Sequence, residues 1–378
     1  GESELKKDMF LRAMRFREIL RENSQNLDPH ILGYLQRYVD GINYYIETHG
    51  THPYLRLLGL EVEPWRTEDA LSVPLMMAWA LAHNMKHELI YHEIAKKIGR
   101  EKAAQLYNYC SPDIPTTIDD LVAPVPGDIG SVSEGAENSC LGALPVYSGR
   151  DEVFESTVRL SSLFEEFGWL LGTQSASNAW VAGPRRTLHN GTILVSDMQL
   201  HFSKLPSDLY YIRVSVGDYH AVGAQVPGLP VLLSGYNKRI AWANTNDNID
   251  MVDLFIETID WKKKTYHFQG RDHPLTSKEE EFTVKGRKEP VRKTIYYAGR
   301  KPVLNEVFSD FGADVSLDWT GFDELTPEGF FLLNRAGNHE DFAQGARKIR
   351  SSPTNMVYAD GYGNIAYRPA GSLPTRKP

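Results

Sequence analysis

Apolar positions change their rhythm twice along the 378 residues. Over residues 1–109 the spacing is helical. Between Asp28 and His49, Ile31, Leu35, Tyr38, Val39, Ile42 and Ile46 recur three and four residues apart, which puts them on one stripe of a helix. Asp28 and Pro29 supply an N-cap and a first-turn proline. A second segment, "TEDALSVPLMMAWALAHNMKHELIYHEIAKKIG", is apolar on nearly all sides and predicts a buried helix with Thr67 as its N-cap. The rhythm then fades from Cys110 to Asp151, where Pro, Gly, Ser and Asp dominate. That tract reads as a linker or an extended surface segment, the kind of segment where proteolysis concentrates. A short helical piece is expected over 152–171.

From Ser177 onward the period is two. "SNAWVAG", "TILVSDM", "LYYIRVSVG", "YHAVGAQV", "LPVLLSG", "RIAWANT" and "VDLFIETI" are β-branched or aromatic runs punctuated by Gly, Pro, Asn or Asp. Further hairpins are expected through "KTYHFQGRDHPLT", "EEEFTVKG" and "KTIYYAGRKPVLN". A helix, "HEDFAQGARKIRSS", precedes a last hairpin, "NMVYADGYGNIAYRPAG". Helices first and antiparallel strands afterwards predict an α+β layered fold, not a βαβ array. The chain divides into a helical part (1–109), a spacer-like segment (110–176) and a strand-rich part (177–378).

Composition changes this picture little. Hydrophobic residues make up 42% and charged residues 24%, as in ordinary globular proteins. A net charge of -8 without a basic stripe argues against a nucleic-acid partner. The densest charge, Lys278 to Arg292, mixes both signs and reads as a solvated hairpin. No stretch reaches the roughly 18 apolar residues of a membrane span. No signal peptide stands in the charged opening segment. Cys110 and Cys140 permit one disulfide without demanding it. Neither a GxGxxG nor a GxxxxGK[ST] motif occurs.

The candidate chemistry centres on Ser177. No G-x-S-x-G elbow surrounds it and no histidine adjoins it, so it reads as a polar residue at a strand start unless something takes its proton. Breaking the Ala176–Ser177 bond would supply that base. A free α-amine has a pKa of about 7.7–8.0 and lies beside the serine's own Oγ.

The wider pattern around this serine carries a resemblance. "SNAWVAGPRRT…TILVSDMQL" resembles the start of the catalytic chain in the penicillin acylase family of N-terminal nucleophile hydrolases. The likeness continues through "QVPGLPVLLSGYNKRIAWANTNDNIDMVDLFIE", "LNRAGNHEDF" and "NMVYADGYGNIAYRPAGSLPTR". "YVDGINYYI…LRLLGLEVEPWRTEDALSVPLMMAW" resembles the end of the family's smaller chain.

The resemblance implies an αββα sandwich of antiparallel sheets with a helical N-terminal part. It implies an amide hydrolase activated by cutting its own chain before Ser177, acting on a small N-acyl amide. An acyl-homoserine lactone is the alternative substrate, and a non-catalytic, calcium-stabilised homologue the alternative role. Ser177 takes the place of the nucleophile, Gln199 that of a residue holding the amine and nucleophile, and Asn246 that of a backbone oxyanion donor. Read alone, Gln199 and Asn246 are turn residues. Leu81, Ala82, Leu200, Leu233, Ser234 and Asn244 match the acyl pocket, although any of them fits a core equally well. One structural Ca²⁺ is implied at Asp250, the carbonyl of Val252, Asp253, Glu88 and the carbonyl of Pro374, with no organic cofactor.

The resemblance also implies a periplasmic or secreted enzyme whose two chains come from one precursor. It expects the family's first small-chain strand before residue 1. It expects a side-chain oxyanion asparagine, an orienting arginine and a last acidic calcium ligand after residue 378. Three histidines, His83, His87 and His92, read as helix-surface or interface residues, since their order is not H-E-x-x-H. His201 lies near the proposed site, but a serine that uses its own amine does not need it.

Overall fold

A computed structural model describes residues 4–82, 94–95, 97–106, 176–199, 207–247, 249–307, 313–323 and 327–375. Several expectations fall outside these residues: the 110–175 spacer and its helical piece, Cys110, Cys140, Glu88, Leu200, and His83, His87, His92 and His201.

The N-terminal part is helical: α1 (Leu5–Ala13), α2 (Phe16–Ser24), α3 (Pro29–His49), α4 (Pro53–Leu57), α5 (Thr67–Leu81) and α6 (Arg100–Leu106). The Asp28 side chain caps α3 by accepting from His30 N–H at 2.7 Å, and Ile31, Leu35 and Val39 form its buried stripe. In α5, buried side chains lie on several sides, as expected of an interior helix. Its N-cap is Arg66, not Thr67. Asp69 reaches back to accept from Arg66 N–H at 2.7 Å, so a carboxylate three residues into the segment sets the boundary.

The strands are β1 (Ala176–Ala182), β2 (Ile193–Gln199), β3 (Tyr210–Val216), β4 (Tyr219–Gln225), β5 (Leu232–Asn237), β6 (Ile240–Asn246), β7 (Val252–Glu257), β8 (Ile259–Asp260), β9 (Thr265–Phe268), β10 (Arg271–Pro274), β11 (Thr276–Phe282), β12 (Val291–Ala298), β13 (Lys301–Pro302), β14 (Asp314–Trp319), β15 (Thr354–Asp360) and β16 (Ile365–Ala370). Two further helices, α7 (Pro327–Arg335) and α8 (His339–Arg347), precede β15. The largest sheet has the order β16-β15-β6-β5-β4-β3, and every pairing is antiparallel. The β1–β2 hairpin pairs by itself, as do β14 and β7.

Layering follows from strand alternation. On β15, Tyr358 turns toward α8, where it meets Phe342 at a ring-centroid distance of 5.1 Å. Its neighbour Ala359 turns the other way, together with its cross-strand partner Ile365. Ile365 lies against Gly183, just after β1. Helices α7 and α8 therefore cover one face of the six-stranded sheet, and the β1–β2 hairpin covers the other. Facing the hairpin, β6 offers Ala241, Ala243 and Thr245, small side chains that let it approach closely. This is an α+β fold of stacked helices and antiparallel sheets.

The helical part is joined to the strands by a shared core. Trp79 of α5 meets Trp319 of β14 edge-on at 5.4 Å, with Phe10 and Phe16 against the same pair. Glu280, in the segment read as a solvated hairpin, is 6% exposed; Arg12 of α1 and Lys278 hold its carboxylate, and Lys278 also reaches Glu18 of α2. The charge run is solvated on one side only, because α1 and α2 cover the other. Among the described residues no helix is long and apolar enough to cross a membrane.

Candidate active site

Ser177 is the second residue of β1 and lies opposite Met198 of β2. Alternation puts Ser177, Ala179 and Met198 on one face of the hairpin and Asn178, Trp180, Asp197 and Gln199 on the other. Met198 is buried and Trp180 is 54% exposed, so Ser177 turns inward, toward the six-stranded sheet.

Two contacts orient the hairpin. Gly183 packs on Ile365, and Thr192 Oγ1 donates to the Asp360 carbonyl at 2.7 Å. The Ala182 end of β1 therefore sits over the β15–β16 turn. From there β1 lies along β6 and β15, with its Ser177 end toward the other end of those strands, where Asn246 is paired with Thr354.

That end of the sheet is polar. Asn355 Nδ2 donates to the Asn246 carbonyl at 3.3 Å and to Thr245 Oγ1 at 3.4 Å, and Asn355 Oδ1 accepts from Tyr367 Oη at 2.5 Å. Asn246 Nδ2 donates to the Leu81 carbonyl at 3.3 Å, which ties β6 to the end of α5. Burial pushes the Asp247 carboxyl above its usual range, although a hydrogen bond from Asn355 draws it back. Burial, with the Asp247 charge behind it, raises the Tyr367 phenol as well.

The expected residues meet in pairs. Leu81 and Asn246 meet as just described. Ser234 Oγ donates to Asn244 Oδ1 at 2.7 Å and accepts from Asn244 N–H at 3.2 Å. Ala82, Leu233 and Ser234 are buried, and the Leu233 carbonyl accepts from Trp242 Nε1. Gln199 lies opposite Ala176, so its main chain borders the Ala176–Ser177 bond. Its side chain turns to the opposite face from Ser177 and donates to Asp197 Oδ2 at 2.6 Å. Asp197 was reached only as part of the Ser196–Gln199 segment, expected as a turn by the resemblance and found as the end of β2, and Asn355 was not singled out by sequence; the pairing of their strands brings them to this end of the fold. A cleft of about 460 Å³ opens elsewhere, between α2 and the start of α5, and includes none of these residues.

The expected calcium ligands offer only oxygen donors, as a hard cation requires. Val252 is buried at the start of β7, and Asp253 lies directly opposite Asp318 of β14, whose carboxylate Arg300 engages at 2.9 Å. Gly371 packs on Ile249, which brings the segment leading to Pro374 beside the residue before Asp250. Among the described residues no group of three or more His, Cys, Asp or Glu side chains could hold a metal. The expected set supplies only two such carboxylates there, since Glu88 lies outside them.

The sequence model of the penicillin amidase family matches residues 1–378. An acyl-homoserine lactone acylase QuiP of Pseudomonas fluorescens is 28% identical over 100% of this chain and 44% of its own length. Penicillin G acylase of Escherichia coli is 24% identical over 100% of this chain and 48% of its own. The chain thus spans less than half the length of these relatives. Among solved structures, a thermostable penicillin G acylase from Alcaligenes faecalis aligns with a TM-score of 0.43 and 25% identity over 51% of this chain and 35% of that one. Since the family's sequence model matches from residue 1 to residue 378, the whole of this sequence, the chain belongs to the penicillin amidase family.

Proposed function

We propose that this chain carries the nucleophile of an amide hydrolase that activates itself by cutting its Ala176–Ser177 bond. The observation that supports this most is the direction of Ser177. It turns inward at the start of β1, toward the end of the sheet where β6 terminates in Asn246.

In the proposed mechanism the freed α-amine of Ser177 takes the proton from its own Oγ. The Oγ attacks the amide carbonyl and forms a tetrahedral intermediate. The Asn246 N–H donates to the oxyanion; a backbone donor suits this because it is fixed before charge develops. The Gln199 main chain, beside the cut bond, holds the amine. Collapse returns the proton to the leaving amine and leaves an ester on Ser177. Water, activated by the same amine, releases the acid. By the resemblance, Leu81, Ala82, Leu200, Leu233, Ser234 and Asn244 are assigned to the acyl end of the site, where Leu and Ala suit an apolar acyl group.

A specific observation favours an acyl-homoserine lactone as the amide. Six acyl-homoserine lactone acylases of Pseudomonas are 24–28% identical to this chain along its whole length. Intact mass and N-terminal sequencing of the full-length gene product test the class, and comparing acid release from N-acyl-homoserine lactones and aryl-acetyl amides tests the substrate. An uncut chain that hydrolyses neither would sink the proposal. In this reading residues 1–109 belong to the small chain of the cut product and residues 177–378 to the N-terminal part of the large chain, and a periplasmic or secreted compartment, checked by cell fractionation, follows from the same reading.

Asp250, Asp253 and Glu88, with the carbonyls of Val252 and Pro374, are proposed to hold one Ca²⁺. The ion would neutralise these carboxylates and tie the chain ends together without entering the reaction. A chelator is expected to lower the thermal midpoint, and added Ca²⁺ to restore it; a midpoint indifferent to both would exclude the site.

A further inference from the structure

On the outward face of the hairpin, behind Ser177, one carboxylate gathers both strands. Asp197 Oδ2 accepts from Gln199 Nε2 at 2.6 Å and from Asn178 Nδ2 at 3.3 Å. Asn178 is Asp197's partner in the ladder, and Gln199 is the partner of Ala176. The clip therefore joins the residue after Ser177 to the residue opposite the one before it.

We propose that Asp197 is a positioning residue that keeps Ser177 in register once Ala176 has been cut away. This rests on the reading of Ser177 as an N-terminal nucleophile. Cleavage makes Ser177 the first residue of β1 and abolishes the Ala176–Gln199 pair. Strand ends fray, because a terminal residue has ladder neighbours on one side only. Within the hairpin, among the described residues, this end then keeps the Ser177–Met198 pair and the side-chain clip, beside the packing of β1 on β6 and β15. An ionised acceptor suits that task, since charge-assisted hydrogen bonds are shorter and stronger than neutral ones. The clip also explains why Gln199 serves through its main chain: its amide is already engaged on the face away from Ser177.

An ordinary surface pair would change stability alone, whereas a positioning residue changes turnover per active site. The experiment uses the full-length protein and an N-acyl-homoserine lactone, with active sites titrated by a slow acylating amide so that kcat counts only cut, folded molecules. Asp197→Ala is expected to lower kcat about 10- to 100-fold with KM within about threefold of wild type, the loss expected when a nucleophile is misplaced by roughly 1 Å. Asp197→Asn keeps an acceptor oxygen for Gln199 and is expected to recover most of the rate; should Asp197→Ala not fold, Asp197→Glu, which keeps the charge but shifts its oxygens by one methylene, is read for the same fall in kcat. Wild-type kcat per titrated site in Asp197→Ala, or in Asp197→Glu where that variant is read in its place, overturns the inference and leaves the proposed function standing. A wild-type protein with no new N-terminus at Ser177 and no hydrolysis overturns both.

Discussion

At the scale of single residues, Ser177 lacks the helper that most serine nucleophiles require. No histidine adjoins it in sequence, and its own nitrogen is held in the peptide bond to Ala176. That nitrogen gives the sharpest residue-level prediction. Ser177→Ala should leave the chain uncut and reduce hydrolysis to background, because nucleophile and base vanish together. Gel analysis and an amide-release assay check this; a Ser177→Ala protein that still cuts itself before residue 177 removes the role assigned here. Little of the surrounding site was legible in advance. Ser177, Gln199 and Asn246 were reached through a resemblance, and neither composition nor periodicity would have picked them out. Asp197 stood in the matched run without a role, and Asn355 went unnoticed, because their contacts depend on which strand lies opposite which, a long-range fact that local pattern does not contain.

At the scale of elements, local pattern did better. The Asp28 cap and the stripe of α3 agree with the structure because both are set by neighbours within one turn. The period-two runs became strands for the same reason. Element ends and the burial of charge were less legible: Arg66 replaced Thr67 as a cap, and Glu280 proved buried because distant α1 and α2 lie over it.

The β15–β16 turn carries an element-scale prediction. Burial alone would push the Asp360 carboxyl up, but hydrogen bonds from the Asn364 side chain and main chain, Tyr358 Oη and Tyr362 N–H outweigh it and hold the carboxyl below the usual range. A depressed carboxyl pKa stabilises the fold above the unfolded value and loses that contribution as pH falls through the folded one. Asp360→Ala is expected to cost about 2–4 kcal/mol at pH 7, since several donors lose a buried acceptor. The difference from wild type should shrink in acid, below the ordinary carboxylate range. Thermal midpoints across pH check this; a pH-independent difference would mean that packing, not the charge, matters there. The main-chain carbonyl of residue 360 accepts from Thr192 and is kept in this variant, so the hairpin that carries Ser177 should be affected only as far as the turn itself shifts.

At the scale of the whole molecule, the helical part and the strand-rich part are held by contacts that owe nothing to chain continuity. Trp79 and Phe16 pack on Trp319 across the boundary, with Phe10 against Trp79 on the helical side, and each favourable aromatic pair adds about 0.5–1.5 kcal/mol beyond simple area burial. The Arg12–Glu280–Lys278–Glu18 chain of charges and the Tyr34–Phe331 stack add to it. After the proposed cut, the two pieces should co-elute in size exclusion at micromolar concentration and separate only in denaturant; separation in plain buffer would show that the boundary is weaker than its aromatic core implies.

That aromatic joint has a consequence for the history of the molecule. While the backbone is continuous, the two halves search for each other as a tethered pair, and refolding is independent of concentration. Once the tether is gone, the same joint must form by collision between separate chains, and recovery from denaturation becomes second order and dilution-sensitive. A joint of this kind assembles readily only once, before the cut, so the order of events would be written into the protein: fold first, sever afterwards, with no easy way back.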